Sequence, residues 1–151
     1  MELKITRATI NDAEDISEIE NKSFSVPWSL KSIKESLDSP TISTIKAVDG
    51  TDKLVGYASL MQVADQAELL NIAVSTEHRR EGIGKILLDS VIKTAESDCA
   101  TEIFLEVRES NIAARTLYTK SGFEEIAVRK NYYTHPTENA IIMRKTPEET
   151  K

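Results

Sequence analysis

The chain has 151 residues, enough for one domain (1–151) with a sizeable core. Its 40% apolar and 29% charged residues are ordinary for a soluble globular protein, and no apolar run approaches membrane-spanning length. The net charge of −6 argues against the basic surface of a general nucleic-acid binder; it suits a basic acceptor, although solubility alone would account for it.

The start, Met1-Glu2-Leu3-Lys4-Ile5, lacks a signal-peptide pattern, so a cytoplasmic location is expected. Glu2–Ala8 alternates as a strand does. Asn11 opens a helix to about Ser23, with Glu14 three residues on as a capping-box partner. After the Val26-Pro27-Trp28 break, Ser29 caps a second helix through Leu37. Thr41–Val48, Lys53–Val63 and Ala67–Val74 read as three strands, with Asp49-Gly50 as a turn. From about Gly82 to Glu96, Ile83, Leu87, Leu88, Val91, Ile92 and Ala95 form one apolar helix face. Cys99, the single cysteine, falls in the following turn as an incidental thiol and allows no internal disulfide. Glu102–Val107 is a strand and Asn111–Ser121 a helix stopped by Gly122. Phe123–Lys130 and Ala140–Arg144 are the last strands, separated by a polar loop, Asn131–Asn139. The order β, α, α, β, β, β, α, β, α, β, β predicts an α/β fold on a mixed sheet.

Chemistry concentrates where the third helix begins. Arg79, Arg80, Glu81, Gly82, Ile83, Gly84 and Lys85 make a basic, glycine-bearing turn after a buried strand. A helix N-terminus leaves its first N–H groups unpaired and partly positive, so this turn suits a phosphate or pyrophosphate. No Gly-x-x-x-x-Gly-Lys-Ser/Thr run exists, and position 87 is Leu where a dinucleotide fingerprint needs Gly or Ala. On the turn alone, a solvated helix cap is an equal reading. His78 and His135 lack metal-ligand spacing, and no metal is expected.

Downstream motifs decide between those readings. Arg79-x-x-Gly82-x-Gly84, then Asn111, then Leu117-Tyr118-x-x-x-Gly122-Phe123 resembles the GCN5-related N-acetyltransferase (GNAT) superfamily. Leu70-Asn-Ile-Ala-Val74, Leu105-Glu-Val-Arg108 with Ser110-Asn111, and Arg129-Lys-Asn-Tyr-Tyr133 are similar to its bacterial ribosomal-protein alanine N-acetyltransferase branch (RimI). The resemblance covers the whole chain. It implies a GNAT fold splayed between the fourth and fifth strands, with the pantetheine arm of acetyl-CoA in the gap.

It also implies roles. Arg79–Lys85 would hold the pyrophosphate, and the backbone of Ile72, Ala73 and Val74 the pantetheine and acetyl group. Asn111 would bond the coenzyme arm as well as cap its helix. Glu106 is the expected general base, its apolar strand context predicting burial and a raised pKa. Tyr118, protonated at neutral pH, is the expected general acid. Trp28 and the loop residues Tyr132 and Tyr133 would wall the acceptor slot. The chain departs from the branch in continuing Tyr-Tyr-Thr-His where Tyr-Tyr-Pro is common. The implied partner is a protein N-terminus, a ribosomal protein's alanine first, with a lysine, polyamine or small-molecule amine as the alternative. A monomer or weak dimer without nucleic-acid or membrane partners is expected.

Overall fold

In the computed structural model, which describes residues 2–147, the strands are β1 (Leu3–Arg7), β2 (Ile42–Asp49), β3 (Leu54–Val63), β4 (Gln66–Val74), β5 (Glu102–Arg108), β6 (Glu124–Tyr133) and β7 (Glu138–Lys145). The helices are α1 (Ala13–Ser23), α2 (Leu30–Asp38), α3 (Ile83–Ser97) and α4 (Ile112–Lys120), and the predicted element order holds.

Two boundaries differ from expectation. A short 3-10 turn, Ile10–Asp12, precedes α1, and the box forms two residues early: Thr9 N–H donates to the Asp12 carboxylate at 2.8 Å. Thr9 wins over Asn11 because Thr9 is extended (φ −123°, ψ 175°), as a residue preceding a helical turn should be. The second difference is that the expected loop 131–139 shrinks to the turn 134–137. β6 continues through Tyr132 and Tyr133 across an irregularity after Arg129, and Tyr133 pairs with Glu138. Asn131, at φ +55°, absorbs the irregularity, and its N–H donates to Asn139 Oδ1 at 3.0 Å.

The sheet order is β1-β2-β3-β4-β5-β7-β6, with β4–β5 the one parallel pair. That pair is short. Register runs only from Gln66↔Glu102 to Glu68↔Phe104; beyond it the strands diverge, which is the splay. A bulge marks the same place on the β3 side, where Ser59 opposes Asn71 and Leu60 opposes Leu69, leaving Leu70 extra.

One face of the sheet carries α3 and α4. Ile83, Leu87, Leu88 and Val91 pack with Val55, Ile103, Leu105, Val107, Tyr118 and Phe123. Each large aliphatic chain buried there is worth about 2 kcal/mol. Gly56 allows the close approach: a Cβ there would stand 3.0 Å from Leu87 Cδ1 and 3.1 Å from the Ala73 carbonyl. On the opposite face α1 and α2 cover β2, β3 and β4 with a second core, Ile16, Ile19, Ile33, Val48, Tyr57 and Ala73. Strand alternation turns Phe104, Glu106 and Arg108 toward this second face.

Candidate active site

The donor side is built at the end of β4. Ser75 N–H donates to the Val55 carbonyl at 2.8 Å, so antiparallel alternation points the peptide groups of Val74 and Ile72 away from β3, toward the splay. Ala73, paired opposite Tyr57, turns its backbone back to β3. Of the three residues expected to offer backbone groups, Ile72 and Val74 turn theirs away from β3, while Ala73 turns its own toward it.

The basic turn carries two left-handed residues, Arg80 (φ +67°) and Gly82 (φ +81°), before α3 starts. The first helical bond, Ile86 N–H to the Gly82 carbonyl at 3.2 Å, leaves the N–H groups of Ile83, Gly84 and Lys85 without intrahelical acceptors. Gly82 is required by its φ, since nothing lies within 4 Å of where its Cβ would be. Gly84 has ordinary φ, and a Cβ there would touch Leu117 and Val74 only at 3.8 and 3.9 Å. Neither strain nor crowding within the protein explains a glycine at position 84.

The side chains of the turn are partly engaged. Arg79 reaches the Val74 carbonyl and Ser23 Oγ, both at 3.5 Å; Lys85 pairs with Asp89 at 2.9 Å. Glu81 pairs with His78 Nδ1 at 3.0 Å, so His78 is a partner in the turn rather than a free loop side chain. Asn111 is the N-cap of α4, accepting from Ala114 N–H at 3.2 Å.

Glu106 lies on the second face, half-buried, 3.3 Å from the Arg129 guanidinium. The expected apolar enclosure is not found. Leu105 and Val107, its apolar neighbours in sequence, point to the opposite face, as alternation requires. Glu68, Phe104, Ile142 and Arg129 line a pocket with it. Burial, then the neighbouring Glu106 charge, raise the Glu68 carboxyl above the usual range.

Tyr118 comes from the other side, buried in the α3–α4 core with its ring edge-on to Phe123 at 5.9 Å. Burial first, then the Tyr133 phenol, push its pKa up, so it keeps its proton at neutral pH. Tyr133 is raised to about 12, by burial first and then by the Glu106 carboxylate, with Arg108 opposing. Arg108 stacks on the Tyr133 ring at 4.4 Å, while Tyr132 stays 49% exposed beneath the Arg129 guanidinium. Trp28 is half-buried against the second core.

Four polar residues at this face had no role assigned from sequence: Glu20, Glu68, Arg108 and Arg129. Arg108 donates to the carbonyls of Thr134 (2.9 Å) and Pro136 (3.1 Å), to Glu138 (3.1 Å) and to Ser25 Oγ (3.2 Å). It fixes the turn where the chain departs from Tyr-Tyr-Pro. Alternation from Glu106 could have placed Arg108 on its face; Glu68 and Arg129 needed the registers of β4 and β6. For Glu20 the signal was its helical spacing, four residues after Ile16 and seven after Ala13. Among the described residues, no group of three His, Cys, Asp or Glu could hold a metal ion, and no helix is long and apolar enough to cross a membrane.

A basic, glycine-bearing helix start thus follows one of the two diverging strands, and the other strand carries the half-buried Glu106. The acetyltransferase (GNAT) family model matches residues 13–123, and the chain belongs to that family. It is an acetyl-CoA-dependent N-acetyltransferase. Within the family it is similar to the ribosomal protein bS18-alanine N-acetyltransferase of Haemophilus influenzae, 38% identical over 135 residues that span 87% of this chain and 90% of that one. The Escherichia coli (strain K12) protein of the same name is 37% identical over 127 residues, 83% of this chain and 84% of that one. The crystal structure of the ribosomal-protein-S18-alanine N-acetyltransferase from Escherichia coli matches with a TM-score of 0.91 at 32% identity, covering 99% and 96% of the two chains.

Proposed function

We propose that this enzyme acetylates the α-amine of an N-terminal alanine on a small-subunit ribosomal protein, by direct attack on acetyl-CoA within a single 1–151 domain. The half-buried Glu106 carboxylate on β5, with the buried, protonated Tyr118 phenol on the α3–α4 side, supports the mechanistic reading. The names of the relatives at 37–38% identity support the acceptor.

The coenzyme pyrophosphate binds the N–H groups of Ile83, Gly84 and Lys85, with Arg79 and Arg80 supplying charge; Glu81 orders the turn through His78. The pantetheine arm runs along Ile72 and Val74 and meets Asn111. The acceptor ammonium gives a proton to Glu106, directly or through one water. The neutral nitrogen attacks the thioester carbon, a C–N bond forms, and an N–H facing the splay steadies the oxyanion. Collapse breaks the C–S bond. The departing thiolate takes the Tyr118 proton, and the phenolate is refilled from the nitrogen's second proton. The products are an acetylated peptide and coenzyme A, with Glu106 returning one proton to solvent.

The amine's own acidity favours an N-terminus over lysine. Reference pKa values of about 7.8 and 10.4 make deprotonating lysine cost roughly 3.5 kcal/mol more. A polyamine acceptor is the second reading, since Glu68 and Glu106 share one pocket, but Arg129 lies in the same pocket and offsets their charge. The test is a peptide array incubated with acetyl-CoA, with mass-spectrometric assignment of the acetylated atom. Alanine-first peptides modified at the N-terminus are the expected products; modification of spermidine with none of peptides contradicts the assignment.

A further inference from the structure

Glu20 is the one charged side chain buried among the described residues, 1% exposed at the last turn of α1. No cation is paired with it among the described residues. Three neutral donors satisfy it instead. Trp28 N–H donates to Oε2 at 3.0 Å, while the Tyr57 hydroxyl and the Asn71 amide both donate to Oε1. Two carboxylate oxygens can accept all three bonds, and burying such a group without a cation is costly. A leucine would fill the same helix face without that cost.

What the carboxylate connects gives the reason. Asn71 stands at the β4 bulge, one residue before Ile72. Trp28 ends the turn between α1 and α2, beside the acceptor slot. The other end of that turn, Ser25, is held by Arg108, which also holds the 134–137 turn behind Tyr133. The segment 25–28 is therefore anchored at both ends, to the donor strand by Glu20 and to the opposite acceptor wall by Arg108.

We propose that Glu20 is a positioning residue for the acceptor: its carboxylate fixes the Trp28 turn against the β4 bulge and so sets the width of the slot. It touches no reacting atom. The inference rests on the acceptor slot lying between the 25–28 turn and Tyr132-Tyr133.

Trp28 is the only tryptophan in the chain, so its fluorescence reports this turn alone. The experiment compares wild type, Glu20→Gln and Tyr57→Phe. It follows Trp28 emission and separate KM values for acetyl-CoA and for a peptide that the wild type acetylates. Glutamine keeps the shape but has one acceptor oxygen, so it cannot hold all three donors. Glu20→Gln is expected to shift Trp28 emission and raise the peptide KM by about tenfold, the scale of one lost charged hydrogen bond, with the acetyl-CoA KM within about twofold. Tyr57→Phe removes one donor and leaves the Trp28 link; a rise of about threefold in peptide KM is expected, and this variant carries the test if Glu20→Gln does not fold. An unchanged peptide KM in either folded variant, or equal rises in both KM values, overturns the proposal. A wrong acceptor shows as lack of turnover in the wild type, whereas a wrong role for Glu20 shows only in the variants.

Discussion

Glu106 and Arg129 stand 3.3 Å apart, so the proposed base is a carboxylate beside a guanidinium, half-open to the acceptor face. Replacing it with glutamine removes the proton acceptor and little volume. Turnover of Glu106→Gln is expected to fall by about two to four orders of magnitude while acetyl-CoA binding by calorimetry is unchanged. A variant that keeps the wild-type rate and pH–rate profile refutes the assignment. Glu20 makes a different prediction, about stability. Burial raises its pKa above the ordinary 4.5. A raised carboxyl pKa means the folded state favours the proton. Its contribution is full below the unfolded pKa and is lost as pH rises through the folded one. Glu20→Gln has no such titration. The urea midpoint of the wild type should therefore decline relative to that of Glu20→Gln as pH rises from about 4.5, and a constant difference between pH 4 and 8 contradicts it. Glu20 went unread because it lies in a stretch rich in acidic residues, Glu14, Asp15 and Glu18 among them. Only its position on the Ala13–Ile16 face sets it apart, and its donors lie 8, 37 and 51 residues away.

At the scale of elements, the start of α3 separates two uses of glycine. Gly82 is held at φ +81°, where an L side chain is strained, with no neighbour within 4 Å. Gly82→Ala is expected to cost about 1 kcal/mol of stability. Gly84 is unstrained and its surroundings admit a Cβ. Gly84→Val should leave thermal stability nearly unchanged but raise the acetyl-CoA dissociation constant by an order of magnitude or more if the pyrophosphate lies on that N–H (about 1.4 kcal/mol per factor of ten). Tight binding by a folded Gly84→Val removes the pyrophosphate from this turn. The elements themselves were largely legible, because helical and strand periods mark apolar faces directly: all six apolar positions expected on α3 are buried. Legibility failed where long-range pairing overrode local chemistry. The polar run Asn131–Asn139 reads as loop, yet pairing with β7 carries β6 through Tyr133. Apolar flanks likewise suggested an enclosed Glu106, because a sequence lists neighbours while a strand sends them to opposite faces.

For the whole molecule, one splayed sheet carries a packed core on each of its two faces. The α3–α4 side holds the buried Tyr118 phenol and the free N–H groups at the start of α3; the α1–α2 side holds the Glu106 carboxylate and the turns anchored by Glu20 and Arg108. The splay itself came from family resemblance, since no local period encodes the three-residue length of the β4–β5 pairing. The central claim is the atom that receives the acetyl group. It is tested most directly by two peptides with one sequence and an internal lysine, one with a free N-terminal alanine and one with that end blocked, assayed side by side with acetyl-CoA and read by mass spectrometry. The account predicts rapid acetylation of the free peptide on its α-amine and far slower reaction of the blocked one. Faster acetylation of the internal lysine would contradict it.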